Sequence, residues 1–530
     1  MRKPRLALPV FCVGILVTAS LWNSRDTLTV LTTSSTAGTD LLSAAADVVF
    51  TTTINTVSSS SSTTGTGTTT TNPLQEIAAP PAGEANDDHK NQESNQPFTP
   101  ATTASSAKAN IDDLVEELVQ CNITYHVYDN PSLEQWHYKQ KILQLRPGKK
   151  PRKPLMMRRY GDEVWGELLI LEALKHHPLR QAQQLQQQPE QPPQLYIIPL
   201  SLGVAVASAR KASEAFDEAL QFLYQQPTFP STNTGKNGHS NHVLLSLLVP
   251  LHKYASPLRE LNQHYPTLWN VTIANDVDWE GCQQLWQSGQ ARGHDFEPDI
   301  GLYRHNMARF GFSLGLLAPT RTDTEGGIPW ISASYDKFRA AKYWIFYHTR
   351  EAESLHNSTQ YRHAPLQIDP NDLLKAQNQP SPQLLPASIG HDLPPTEWMG
   401  RYTTSQFCLV IRGDTIHSHA LMRAIKVGCI PVIVADFYPW FAPTFKSTIQ
   451  MQDYAVFIEE KRFIEDPLKE LLKLREMSPH DIQEKLQWLA FAQRLFFPEH
   501  PDSLFVPAFL KEALRASRIP LGAATFPYNT

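Results

Sequence analysis

The chain has 530 residues, too many for one ordinary domain, and a net charge of −5 with 19% charged residues. That balance points to neither a nucleic-acid partner nor an acidic surface. Five cysteines in this length exclude a disulfide-framework protein, and with no CxxC or His-rich cluster there is no zinc signature.

The first residues, MRKPR (1–5), are basic, and LALPVFCVGILVTASLW (6–22) carries no charge. At about 1.5 Å per helical residue, this run barely spans a ~30 Å hydrocarbon core. Arg2, Lys3 and Arg5 in front of it favour a cytosolic N-terminus. Residues 6–22 therefore read as a retained transmembrane signal anchor, with a cleaved signal peptide and an organelle transit peptide as alternatives. Either of the first two puts the remainder in the secretory lumen. Residues 23–110, including VSSSSSTTGTGTTTTNP, have too few apolar groups to offset the entropy of ordering, and read as a disordered Ser/Thr/Pro-rich stem. Three sequons, at Asn122, Asn270 and Asn357, agree with a lumenal glycoprotein.

Beyond the stem, strands and helices alternate. IDDLVEELVQ (111–120) has helical spacing, Ile123–Tyr128 alternates like a strand, and Asp129–Ser132 has turn chemistry. A helix over Val164–Leu174 leads through a glutamine-rich loop (181–194) to the strand LYIIPL (195–200). A helix over 213–226, a strand at His242–Val249 and strand candidates at 267–276 and 298–303 follow. Lys342–Tyr347 is a strand, 350–397 is a polar segment whose middle looks irregular, and QFCLVI (406–411) is a strand. Ser418–Val427 is a helix with Leu421, Met422 and Ile425 inward, Gly428–Val434 is a strand, and 479–514 is helical. Repeated βα units imply parallel sheets covered on both faces. This length of α/β units fits two Rossmann-like halves, 111–335 and 336–517, followed by a tail at 518–530.

The stretch FCLVIRGDTIHSHALMRAIKVGCIPVIVAD (407–436) is the most informative. A strand–loop–helix–strand unit sets its loop at the carboxyl edge of the sheet, where open α/β folds bind ligands. Gly413 frees the backbone, Ser418 is placed to cap the helix, and Arg412 is suited to charge-assisted bonds to a diphosphate. Asp436 ends the next strand, where a carboxylate can accept from sugar hydroxyls. The bland reading is a tight turn whose Arg412 and Asp414 pair with neighbours; spacing alone leaves both open. Neither GxxxxGK[ST] nor GxGxxG is present.

That stretch resembles the signature of the exostosin family, glycosyltransferase family 47. ITYHVYDNP (123–131), LYIIPLSL (195–202), GHSNHVLLSL (238–247) and KYWIFYHTRE (342–351) resemble other family segments in the same order. The resemblance implies a GT-B fold, two Rossmann-like domains facing a cleft. The N-terminal domain would take the acceptor and the C-terminal domain the nucleotide sugar. It further implies a single-pass type II Golgi membrane protein, catalytic part lumenal, transferring a sugar with inversion, commonly from a UDP-sugar to a glycan or polysaccharide. No metal or other cofactor would be required, although a divalent ion can accompany the donor diphosphate.

On that resemblance Arg412, Gly413, Asp414, Thr415, Ser418, His419, Asp436 and Arg350 would bind the donor. The family's arginines after the motif serine are replaced by His419 and Ala420, so His419, Arg423 or Arg350 would have to supply charge. A family acid after Pro-Phe is missing from Trp440-Phe441-Ala442-Pro443. The catalytic base is unassigned, with His242, Asp276, Asp278 and Glu280 as weak candidates and Asp129 a turn former. The departures keep a second reading open: a family member without turnover that partners or scaffolds another glycosyltransferase, in a homo- or hetero-oligomer. Cysteine pairing is also open, Cys408 with Cys429 being one option.

Overall fold

The computed structural model describes residues 110–128, 161–180, 192–201, 221–229, 241–246, 272–275, 277–290, 311–314, 329–349, 364–369, 372–373, 385–391, 393, 395–412 and 416–518. The anchor and stem expectations for 6–22 and 23–109 lie outside them. Among the described residues no helix is long and apolar enough to cross a membrane.

Two five-stranded parallel sheets organise these residues. The first runs β1 (Tyr125–Val127), β2 (Leu195–Ser201), β3 (His242–Ser246), β4 (Thr272–Asn275) and β5 (Gly311–Ser313), in that spatial order. Its strands are short apolar runs: Tyr125, Val127, Leu195, Ile197, Val243, Leu244 and Leu245 have no exposed surface. α1 (Ile111–Val119) precedes it, its first turn capped by the Asn110 side chain accepting from the Asp112 N–H at 3.2 Å. α2 (Gly161–His176) lies against β2, and α3 (Trp279–Ser288) against β5. A sheet whose strands follow in sequence, joined by right-handed crossovers, receives its connecting helices on one face. Another element must cover the second face.

The second sheet contains β6 (Tyr343–Thr349), β7 (Leu385–His391), β8 (Ser405–Ile411), β9 (Ile430–Val434) and β10 (Val456–Phe457). Its spatial order is β10-β9-β8-β6-β7, so the strand order reverses between β6 and β8. α4 (Tyr335–Arg339) leads into β6, α5 (Pro395–Thr403) joins β7 to β8, and α6 (Ala420–Lys426) joins β8 to β9. Leu421, Met422 and Ile425 of α6 are buried as their spacing requires. Gly428 ends α6 at φ +63°, and a Cβ there would lie 2.8 Å from the Ile331 carbonyl oxygen, so only glycine fits. A disulfide joins Cys408 of β8 to Cys429 just before β9, while Cys121 and Cys282 stay thiols.

Four short helices follow β9: α7 (Tyr438–Phe441), α8 (Met451–Tyr454), α9 (Glu460–Glu465) and α10 (Pro467–Leu472). The helical tail is two helices, α11 (Pro479–Phe496) and α12 (Phe505–Ser517). The sequence reading put 505–517 with the second half, but α12 touches β2, β4 and β5 of the first sheet. Most of its side chains are buried, Phe505, Phe509 and Leu510 fully. It supplies the cover that a sequentially ordered sheet lacks.

Three strands have no counterpart in the sequence expectations, β5, β7 and the two-residue β10. β7 reads LPASIGH, with one β-branched residue, and its Pro386 is tolerated because the strand is an edge. β5 lies at Gly311–Ser313, whereas the expected strand at 298–303 lies outside the described residues.

Candidate active site

In a parallel sheet the crevice at a strand-order reversal is where ligands bind, outside the carboxyl ends. Here the reversal lies between β6, which ends at Thr349, and β8, which ends at Ile411. Arg412 is therefore at the crevice by topology alone. Gly413, Asp414, Thr415 and Arg350 fall outside the described residues, so their expected donor contacts have no geometry to report.

Arg412 has no exposed surface. Its Nε lies 3.4 Å from the Glu460 carboxylate, itself 3% exposed. Glu460 opens α9 at the carboxyl end of β10, and its other oxygen accepts the Asp436 backbone N–H at 3.0 Å. Asp436 returns the bond, its carboxylate accepting the Glu460 N–H at 3.0 Å. Three consecutive strands thus contribute Arg412, Asp436 and Glu460 from their carboxyl ends. Burial, joined by the Glu459 charge, raises the Asp436 pKa, against the Glu460 N–H bond and the Arg412 charge. The expectation that Arg412 meets a diphosphate directly is qualified: its charge is already balanced by Glu460, as the bland reading anticipated.

The helix begins at Ala420, two residues later than expected. His419, not Ser418, occupies the N-cap position and makes no side-chain cap bond, while the Ser418 hydroxyl accepts the Ala420 N–H at 3.3 Å. The Ser418 backbone is held by the Tyr438 hydroxyl, which accepts from its N–H at 3.3 Å and donates to its carbonyl at 3.2 Å. His419 is expected to supply charge only when protonated. Burial first, then the Arg423 and His417 charges, lower its pKa to about 3, so the imidazole is neutral at physiological pH. Arg423, one turn on, lies over the Trp398 ring at 5.6 Å.

The candidate bases separate. His242 starts β3 and so lies at the amino edge of its sheet, whereas Asp278 follows the carboxyl end of β4. His242 register-pairs one step before Thr272, so about four residues of strand rise, roughly 13 Å, divide the two levels. His242 stacks on Tyr196 at 4.8 Å and Tyr128 at 5.9 Å, bonds the Tyr128 hydroxyl at 2.8 Å, and is 2% exposed. Burial lowers its pKa to about 3. It is an aromatic-core residue and a poor proton acceptor.

Asp278 and Glu280 form a charge cluster instead. Asp278 is 1% exposed, caps α3 by accepting the Glu280 N–H at 3.1 Å, and pairs with Lys446. Glu280 pairs with Lys446 at 2.7 Å and with Arg515 of α12 at 3.1 Å. Arg515 also pairs with Glu512 at 2.8 Å. Burial raises the Asp278 pKa, against Lys446; for Glu280 burial also raises it, but Lys446 and Arg515 prevail and the net shift is downward. These two carboxylates fasten α3 to the 441–447 segment and α12. Asp276 lies outside the described residues, as do Asp129 and the sequons at Asn270 and Asn357; Asn122 is exposed.

Glu460 and Tyr438 were missed from sequence. AVFIEE (455–460) carried the signal for Glu460, a short apolar strand followed at once by acids, the same grammar that singled out Asp436. Tyr438 carried none, because its partner lies 20 positions away in sequence.

No curated protein matches the chain. Similar solved structures include "Crystal Structure Analysis of the Glycotransferase of kitacinnamycin", at 11% identity over 74% of this chain and 98% of that one. Another is "Crystal Structure of Glycosyltransferase from Rickettsia africae ESF-5", at 9% identity over 74% and 98%. Their TM-scores, 0.25 and 0.26, are too low to carry an argument. Residues 301–474, which hold the whole second sheet and the Arg412–Glu460–Asp436 edge, match the family model described as the Exostosin GT47 domain.

Proposed function

We propose that the chain is a GT-B glycosyltransferase that moves a sugar, with inversion, from a nucleotide sugar, a UDP-sugar by preference, to a glycan or polysaccharide acceptor. The carrying observation is the strand-order reversal in the second sheet, with the family stretch running from its crevice through Arg412 and Ser418 to Asp436. The nucleotide lies at that edge. Support for a cleft comes from the Asp278 N–H, which donates to the Phe441 carbonyl at 2.6 Å: a loop leaving the carboxyl end of β4 meets a segment that follows β9. The acceptor then approaches from the first sheet. No resident cofactor is needed, and a divalent ion enters only with the donor diphosphate. The Cys408–Cys429 disulfide and the exposed Asn122 favour an oxidising, glycosylating compartment, in keeping with a type II Golgi protein anchored through residues 6–22.

The balanced charge of Arg412 and the neutral His419 favour a second reading, a partner subunit of another glycosyltransferase without turnover of its own. Thermal melts of the purified chain with UDP, GDP, CMP and their sugars, with and without divalent metal, separate the two. A nucleotide at about 100 times its Kd adds roughly 2.7 kcal/mol, a visible shift. A shift with one nucleotide supports the enzyme reading and selects the sugars to assay. No shift with any, in a folded chain, removes it in favour of the partner subunit.

A further inference from the structure

We propose that Tyr438 and Glu460 are positioning residues that fix Ser418 and Arg412 at the carboxyl edge of the second sheet, and so set nucleotide affinity without touching the nucleotide. The inference rests on the donor-edge reading above. Tyr438 is 1% exposed, so its ring is fully provided for by packing, and phenylalanine would fill the same space. The hydroxyl is what the packing does not require. It bonds both the N–H and the carbonyl of Ser418, the pair of contacts that a neighbouring strand would otherwise make.

Glu460 does the equivalent for Arg412. One carboxylate oxygen faces Arg412 and the other accepts the Asp436 N–H. Both clasps are anchored on one short segment after β9, since Asp436 holds Glu460 and Tyr438 is two residues further on. Ser418 and Arg412 are thus both held from that one segment. Binding groups held in place before the ligand arrives lose less entropy on binding.

The test compares nucleotide binding by the wild-type chain with Tyr438→Phe, using whichever of UDP, GDP or CMP shifts the wild-type melt. Loss of the paired hydrogen bonds weakens binding by about tenfold, raises the donor KM, leaves the acceptor KM unchanged, and speeds amide exchange at Ser418. Tyr454→Phe is the control. Its hydroxyl is buried and has no hydrogen-bond partner among the described residues, so affinity stays at the wild-type value. If Tyr438→Phe does not fold, Glu460→Gln replaces it: glutamine keeps an acceptor for the Asp436 N–H but loses the charge facing Arg412, and it too binds about tenfold more weakly. A variant that melts lower yet binds at wild-type affinity overturns the positioning role while the donor-edge reading stands. A wild-type chain that binds none of the three nucleotides overturns the donor-edge reading and this inference with it.

Discussion

Replacing Gly281 by alanine tests the junction between the two halves. Gly281 lies in the first turn of α3, and a Cβ built there would sit 1.9 Å from the Trp440 carbonyl oxygen and 2.7 Å from its carbonyl carbon. Both are backbone atoms of α7, so no side chain can swing aside. Alanine in a helix gains about 1 kcal/mol over glycine, whereas overpacking costs about 1–3 kcal/mol, and so short an approach falls at the upper end. The net expectation for Gly281→Ala is a loss of roughly 2 kcal/mol. Gly400 of α5 provides the internal contrast, because a Cβ there meets nothing within 4 Å. Gly400→Ala is expected to gain about 0.5–1 kcal/mol from the backbone term alone. Thermal and urea melts of the two variants beside wild type read both signs. A Gly281→Ala chain that melts at or above wild type, with Gly400→Ala raised as expected, would refute the direct backbone contact.

The remaining predictions concern the candidates that the structure reassigns. Lys446→Met strands the Asp278 carboxylate at 1% exposure and is expected to cost about 3–5 kcal/mol by urea melt. Asp278→Asn alters stability while kcat per folded molecule stays near wild type; a kcat lost with unchanged stability would instead make Asp278 the base. His242 is held to about 3 against an ordinary 6.5, so between those values the unfolded chain binds a proton that the fold refuses. Its contribution is intact above pH 6.5 and is lost as pH falls toward 3, at about 1.4 kcal/mol per unit. His242→Phe, which fits the stack, should flatten the measured stability–pH slope by about one proton over that window. An unchanged slope would mean the imidazole is charged in the fold.

The second sheet was readable because its central strands are continuous apolar runs: QFCLVI and IPVIV pack on both faces, so composition alone marks them. β7 was hidden for the opposite reason. An edge strand has one neighbour, and LPASIGH tolerates proline and glycine that a central strand would not. The position of α12 was also illegible, since the amphipathicity of Phe505–Ser517 says that it packs but not on which sheet. In the candidate site, Arg412, Ser418 and Asp436 were found because each sits at the boundary of a well-marked element. Whether a charge there faces a ligand or a neighbour depends on contacts such as Arg412–Glu460, which join segments 48 positions apart and leave no local trace.

The Glu460 pairing bears on what the loop can do for a leaving diphosphate. An arginine already neutralised by a buried carboxylate contributes less net positive potential than an isolated one, and the neutral His419 contributes none. The described cation nearest in sequence to this loop's helix start is Arg423, whose guanidinium lies over Trp398. Cation–π contact holds a guanidinium by its face and leaves its edge donors for other partners. On the proposed function, a donor site at this edge would rely on backbone geometry at Ser418 more than on a cluster of arginines. That places a premium on the Tyr438 hydroxyl and makes binding sensitive to displacement of the segment after β9. The same segment carries Trp440 and Phe441 against α3, so the first sheet and the carboxyl edge of the second are joined through a few residues of backbone.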